Sequence, residues 1–271
     1  MSAKQTEGWK IGTVKTVSHG YSEEFMKNIK FELTSFHLHI FAMALMLCDH
    51  MWHAVIPGND WMTAIGRIAF PIFAFMTVEG FFHTKNLKKY AERLLFFAVV
   101  SEIPFNLVAG GRIFYPLHQN VFWTFLIGIG LIFINEKFKE KNLTVRVLVG
   151  AGTFAIGFFA GILTLCDYHY AGIFTVLVFY FFRGKKWWCF LGQAICLWYI
   201  NFEMLGGFEY IFVVFGEGIH VVRQGLAILA LVPIWLYKGK QGIYNKGIKA
   251  FYYWFYPAHL FILWIISEII A

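Results

Sequence analysis

Charged side chains are scarce in this sequence. Asp, Glu, Lys and Arg make up 14% of its 271 residues, whereas soluble domains contain about 25%. Hydrophobic residues make up 59% and aromatic residues 20%. So much apolar surface cannot be buried within one globule that faces water on every side. The composition therefore excludes an ordinary cytosolic enzyme, a disordered chain and a nucleic-acid-binding domain.

Cysteine is also sparse, with four residues in the whole chain. They lie in or beside apolar stretches and form no C-x-x-C pair, at Cys48, Cys166, Cys189 and Cys196. This spacing excludes a disulfide framework of the kind found in small secreted domains. We expect these residues to be buried as small hydrophobic side chains.

Long apolar segments dominate what is present. Residues 1–32 are polar and contain no hydrophobic run, so we predict a cytoplasmic arm without a cleavable signal peptide. Residues 33–271 are predicted to form an all-α transmembrane domain, because a spanning helix needs about 20 apolar residues. Residues 208–220 are interpreted as a re-entrant piece or an outer-surface helix. Nine spans are predicted, at 36–56, 61–83, 92–109, 118–135, 145–166, 168–183, 187–203, 222–237 and 250–270.

The Lys and Arg residues alternate with these predicted spans. Twenty of the 23 fall in the arm and in the second, fourth, sixth and eighth breaks, which nine spans place on one side. Cytoplasmic loops carry the excess of Lys and Arg in membrane proteins. The pattern predicts a multi-pass protein of the cell membrane with its N-terminus inside and its C-terminus outside. The net charge of +7 is thus a topology signal, and we expect no nucleic-acid partner.

Ionisable and polar residues inside the predicted spans are candidate functional residues, because charges in hydrocarbon are costly. At about 1.5 Å per residue, Asp49, Arg67 and Glu102 all lie about 9–10 Å below the outer surface. We assign candidate catalytic roles to Asp49, His50, Arg67, Glu102 and His118. We assign candidate substrate- or donor-binding roles to His53, Glu79, His83, Gln119, Asn120 and His259.

Other interpretations of these residues stay open. Arg67 can form a purely structural pair with Asp49 or with Glu102. The histidines near Asp49 can also suggest zinc, but they are spread over several helices, so we expect no metal. Glu79 with His83 forms either a cytoplasmic vestibule or a helix-end pair. His259, within an aromatic run, is typical of a packing residue.

Four strings give the chain a family resemblance. Asp49–His50 closes the first apolar segment, and residues 66–107 read GRIAFPIFAFMTVEGFFHTKNLKKYAERLLFFAVVSEIPFNL. Residues 118–128 read HQNVFWTFLIG, and residues 249–266 read KAFYYWFYPAHLFILWII. Together they resemble the TraX family of bacterial polytopic membrane proteins over roughly residues 33–266.

The resemblance implies an activity. The family is named for acetylation of the pilin amino terminus, and is grouped with membrane acyltransferases that use cytoplasmic acyl-CoA. The matching positions include nine of the candidate residues, namely Asp49, His50, Arg67, Glu79, Glu102, His118, Gln119, Asn120 and His259. The sequence departs from the family at the polar arm, at His39 where many members have Lys, and at Asp167–Tyr168–His169 where D-Y-G is usual. These departures leave the acceptor open.

We therefore interpret the chain as an acyltransferase that uses acetyl-CoA or another acyl-CoA. Its acceptor is an amine or hydroxyl at the outer side of the bilayer, on a peptide amino terminus, a glycan or a small molecule. His50, oriented by Asp49 or Glu102, is the expected base. Arg67, Gln119 or Asn120 is expected to stabilise the oxyanion. Lys85, Lys88, Lys89, Arg183 and Lys185 are candidate contacts for the CoA phosphates.

Two further functions remain possible for the same residues. A proton-coupled secondary transporter can use buried Asp, Glu, His and Arg as a proton relay and substrate site. The absence of an internal repeat in the sequence counts mildly against it. A structural membrane subunit whose charges dock a partner is the third hypothesis.

Overall fold

The computed structural model describes residues 32–214 and 217–270, excepting the side chains of residues 210–221. Most of the described chain is helical, so the predicted helical class is confirmed. Ten α-helices are described, α1 Ser35–Ala54, α2 Asp60–Gly66, α3 Ala69–His83, α4 Leu87–Gly110, α5 Val121–Lys137, α6 Leu143–Thr164, α7 His169–Phe181, α8 Trp187–Tyr199, α9 Leu231–Leu236 and α10 Lys246–Ile270. A π-helical segment, Ile200–Met204, extends α8, and a 3₁₀ helix, Arg223–Ala230, precedes α9.

Each of the nine predicted spans overlaps one or two of these helical segments. By length and composition, four stretches of the described chain could cross a bilayer, at Asp60–His83, Leu87–Gly110, Leu143–Thr164 and Lys246–Ile270. The segment predicted at 222–237 is less regular than expected, because its first half is the 3₁₀ helix. Such helices are uncommon beyond three or four residues.

The segment 208–220 departs from the prediction. Its described residues are not helical: strands β1, Glu209–Val214, and β2, Glu217–Val222, pair antiparallel with Glu209 opposite Val222. The sequence of both strands is rich in valine, isoleucine and aromatic residues, which favour extended backbone. That composition is shared by lipid-facing helices, so hydropathy alone did not separate the two structures.

Asparagine caps begin three of the central helices. Asn86, Asn120 and Asn142 each accept a backbone N–H of the following first turn, at 2.9, 3.1 and 2.9 Å. Such a cap satisfies one of the donors that a helix start leaves unpaired. The polar breaks of the sequence therefore set where α4, α5 and α6 begin.

Small residues let the helices approach closely. A Cβ at Gly161 of α6 would overlap the backbone of Tyr170 in α7. Close backbone approach at small residues is typical of helix packing in membranes. The opposite side of α6 is apolar and exposed, with Leu148 at 66% and Leu163 at 79%. An exposed face of this kind suits contact with lipid rather than water.

Candidate functional site

An ion pair joins the end of α1 to the start of the next helix. Arg67, at the break between α2 and α3, places Nη2 2.5 Å from both carboxylate oxygens of Asp49. Its Nε and Nη2 also donate to the backbone oxygen and hydroxyl of Thr63, at 3.2 and 3.1 Å. Of the two pairs that the sequence allowed for Arg67, the structure forms the one with Asp49.

Two histidines from the first and last described helices meet beside this pair. Nδ1 of His50 lies 2.6 Å from Nε2 of His259, although the residues are 209 positions apart. Nδ1 of His259 in turn lies 2.6 Å from the backbone oxygen of Phe255. His259 is only 6% exposed. The residue predicted to serve packing therefore contacts the proposed base directly.

The hydrogen bonds fix the tautomers of the two rings. A carbonyl oxygen only accepts, so Nδ1 of His259 carries the proton. In a neutral imidazole the other nitrogen, Nε2, then accepts, and Nδ1 of His50 is its donor. The lone pair of His50 is consequently on Nε2, the nitrogen that this chain of hydrogen bonds leaves unused.

The expectation that a carboxylate orients His50 is wrong. Asp49 is engaged by Arg67, and Glu102 by residues of α5, whereas the hydrogen bond of His50 goes to His259. His53, one turn beyond Asp49, has an exposed side chain. Asp49 and His53 are four positions apart in α1 and could share a face, but the carboxylate of Asp49 pairs with Arg67 instead.

Glu102 in α4 is held by the first turn of α5. Its Oε2 accepts from Nδ2 of Asn120 and, at 3.1 Å, from the indole of Trp123. Asn120 is fully buried and donates in addition to the backbone oxygen of Ala98 at 2.8 Å. The second oxygen, Oε1, is buried without a hydrogen-bond partner in the described part of the chain. A hydrogen-bond donor on a bound ligand would satisfy this buried oxygen.

A histidine–carboxylate pair lies in two loops at the same end of the helices. His118 precedes α5 rather than opening it, and its Nε2 is 3.3 Å from Oδ1 of Asp167. The hydrogen bond to Asp167 raises the pKa of His118, although partial burial acts in the opposite direction. The backbone oxygen of Asp167 accepts from the Thr124 hydroxyl at 2.6 Å.

Two tyrosines that are not among the predicted functional residues lie between these groups. Tyr168 interacts electrostatically with Arg67 and Asp49, and its ring stacks on Phe70 at 4.0 Å. Tyr256 packs edge-on against both His50 and His259, with ring centroids 6.1 and 5.8 Å apart. The signals were present, because Tyr168 stands in the D-Y-H string and Tyr256 directly precedes Pro257 in the last one.

The remaining predicted residues lie apart from this cluster. Glu79 is buried and accepts from Nε of Arg183 at 2.7 Å, a partner that the sequence did not reveal. His83 is exposed, and its Nδ1 lies 3.7 Å from the second oxygen of Glu79. The amide of Gln119 donates to the backbone oxygen of Pro116 at 3.0 Å. Glu79 and His83 thus belong to a separate cavity, whereas Gln119 fixes its own loop.

The sequence predicted no metal site and buried, unpaired cysteines. Within the described ranges, no group of three or more His, Cys, Asp and Glu side chains is arranged to hold a metal ion. The four cysteines are free, and Cys166 and Cys189 are buried as predicted.

The helical fold, its lipid-suited surfaces and a buried cluster of ionisable residues define a polytopic membrane protein with a polar site between its helices. The chain belongs to the TraX protein family, whose model matches residues 35–267. It is also 28% identical over 252 residues to a probable fimbrial assembly protein, FimC of serogroup H1, from Dichelobacter nodosus. That alignment covers 88% of this chain and 96% of the relative. No solved structure matches the chain.

Proposed function

We propose that the chain is a membrane acyltransferase that moves an acetyl or other short acyl group from cytoplasmic acyl-CoA to an acceptor at the outer side. The proposal includes nine spans in the cell membrane, with the N-terminus inside and the C-terminus outside. The alternation of basic residues with the helical segments supports this topology. In that orientation, the cluster around His50 lies in the outer half of the bilayer.

The observation that carries the proposal is the chain of hydrogen bonds through His50 and His259. It holds the imidazole of His50 in one orientation and leaves Nε2 as a proton acceptor. A general base needs this combination of a fixed ring and a free lone pair.

The transfer proceeds by attack of the acceptor on the thioester. The lone pair of the acceptor nitrogen or oxygen forms a bond to the carbonyl carbon of the thioester. At the same time, Nε2 of His50 takes the proton from the acceptor N–H or O–H. The tetrahedral intermediate then collapses, the C–S bond breaks, and the CoA sulfur leaves with the electron pair. The proton on His50 passes to that thiolate, which returns the ring to its starting form.

Arg67 is the group best placed to stabilise the oxyanion. The amides of Gln119 and Asn120 donate to Pro116 and to Glu102, so they are already engaged. The hydrogen bonds of Arg67 within the described chain use Nε and Nη2, and Nη1 remains for the developing charge. Arg67 also interacts electrostatically with His50. A cation fixed at that position stabilises the negative charge that develops on the carbonyl oxygen.

The acceptor is proposed to be an amine. Oε1 of Glu102 is buried and unpaired among the described residues, and an ammonium or amine N–H would satisfy it. The FimC relative is named for fimbrial assembly. That name favours a peptide amino terminus over a glycan or a small molecule.

The test uses purified protein in nanodiscs with acetyl-labelled acetyl-CoA. We expect slow release of CoA by the wild type, and at least about a hundredfold slower release by His50→Ala, because general-base catalysis contributes about 10²–10⁴-fold. His37→Ala is the matched control, since His37 is exposed at the far end of α1. Thermal unfolding of all three proteins shows that they are folded.

Two results would contradict the proposal. Full CoA release by a folded His50→Ala protein would exclude His50 as the base. Proton-coupled uptake into vesicles, without any covalent product, would assign the cluster to a secondary transporter instead.

A further inference from the structure

A cavity of about 700 Å³ lies between α1, α3, α4 and α10, on the cytoplasmic side of the site just described. It opens at the surface beside Lys85 and Lys89, whose side chains are exposed. It ends at the buried rings of Phe122, Phe125 and Tyr256. Ligand pockets commonly measure about 300–1,000 Å³. Because Tyr256 contacts His50, the cavity ends one aromatic ring away from the proposed base.

The wall of the cavity is strongly basic. Four cations line it, namely Lys85, Lys89, Arg93 and Lys249. The nearby carboxylates are paired with other cations, because Glu79 accepts from Arg183 and Glu92 lies 3.9 Å from Lys88. The cavity therefore carries a surplus of positive charge that its own walls do not neutralise.

Two buried polar atoms of the cavity also lack partners. Nε of Arg93 and the hydroxyl of Tyr252 have no hydrogen-bond partner among the described residues. Arg93 and Lys249, which carry the same charge, both line this one cavity. Native proteins rarely leave buried donors unpaired or hold like charges together without a reason. An anion bound between Arg93 and Lys249 would resolve both features.

We infer that this cavity binds the phosphate-bearing end of the acyl donor, a nucleotide-linked thioester. The inference rests on the proposed function and names the donor site that it requires. Arg93 and Lys249, with Lys85 and Lys89 at the mouth, hold the phosphates by charge-assisted hydrogen bonds. Three tyrosines of the wall, Tyr244, Tyr252 and Tyr253, offer ring faces on which the nucleobase of the donor can stack.

The cations assigned here to the phosphates differ in part from those expected from the sequence. Arg183 is engaged by Glu79, and Lys88 does not line the cavity. Arg93 and Lys249 take their place. The acyl chain and its arm then extend past Phe73 and Met76 toward Tyr256. The thioester reaches the level of His50 without the charged end leaving the basic mouth.

The experiment measures equilibrium binding of labelled acetyl-CoA, without acceptor, in nanodiscs of zwitterionic lipid. We expect Lys249→Ala and Arg93→Ala each to raise the Kd about tenfold or more, the loss typical of a charge-assisted hydrogen bond. Lys88→Ala is the control, because this exposed lysine pairs with Glu92 outside the cavity. His50→Ala should bind as the wild type does. Lys249→Gln provides a second, milder variant if Arg93→Ala fails to fold.

The outcomes separate the cavity from the chemistry. Unchanged binding in both cavity variants, with CoA release intact, would overturn the donor site and leave the proposed function standing. Binding that depends on Arg93, without any CoA release, would support the site and contradict the transfer reaction. If acetyl-CoA does not bind, but phosphatidylglycerol in the nanodisc does so in an Arg93-dependent manner, the anion is a lipid headgroup and the donor assignment is wrong.

Discussion

A single methyl group added at Gly66 should separate the ion pair at the centre of the site. Gly66 ends α2, and a Cβ built there would overlap Cβ of Asp49 and lie 2.8 Å from its Cγ and 2.9 Å from its Oδ1. Neither backbone can retreat easily, because both helices are packed. The Asp49 carboxylate must therefore move away from Arg67 in Gly66→Ala.

The expected cost follows from two contributions. Overpacking a filled site costs about 1–3 kcal/mol, and separating a buried ion pair costs about 3–5 kcal/mol. The side chains of Arg67 and Asp49 are 23% and 16% exposed, so solvent weakens the second contribution only in part. Alanine favours a helix over glycine by about 1 kcal/mol. We expect a net loss of about 2–4 kcal/mol in the free energy of unfolding.

The assay is reversible unfolding in mixed micelles, with Gly152→Ala as the matched control. Gly152 lies within α6, and a Cβ there meets no atom within 4 Å. The same substitution should therefore stabilise the control by up to about 1 kcal/mol. If Gly66→Ala is as stable as Gly152→Ala, Asp49 and Arg67 do not depend on the close approach of the two helices.

Two further predictions concern the loops beside the site. Asp167 raises the pKa of His118 above its ordinary value of 6.5. The pair's contribution to stability should therefore be complete below pH 6.5 and be lost as the pH rises through the folded pKa. Unfolding measured between about pH 5.5 and 8.5 should show this slope, and His118→Gln should remove it; an unchanged slope in the variant would exclude His118 as its source. Asn120→Ala should cost about 1–3 kcal/mol more than Asn142→Ala, because both remove a helix cap but only Asn120 also donates to Glu102 and to the backbone oxygen of Ala98; equal losses would mean that these two contacts contribute nothing.

The sequence predicted where the helical segments lie and which of their ends meet. Segment length and the spacing of basic residues locate apolar helices, because both respond to the bilayer rather than to a particular partner. Depth along a helix follows from counting residues, which placed Asp49, Arg67 and Glu102 at one level. Two of the three, Asp49 and Arg67, form a pair in the structure.

Partner choice was less accessible to the sequence. Which faces of two helices meet depends on how each is rotated and packed, and a single sequence does not record this. The His50–His259 and Glu79–Arg183 contacts join residues 209 and 104 positions apart. Asn120 and Trp123 likewise replaced Arg67 as the partners of Glu102.

Because His50 and His259 are 209 positions apart, the site can be completed only late in the synthesis of the chain. Chains are made from the N-terminus, and helices associate as neighbours become available. Asp49 and Arg67, like Glu102 and Asn120, come from neighbouring segments, so these two pairs can form early. His50 must wait for α10, the last helix of the described chain. The Asp49–Arg67 and Glu102–Asn120 pairs are thus in place first, and the proton-accepting ring is oriented only when every other described helix has been made.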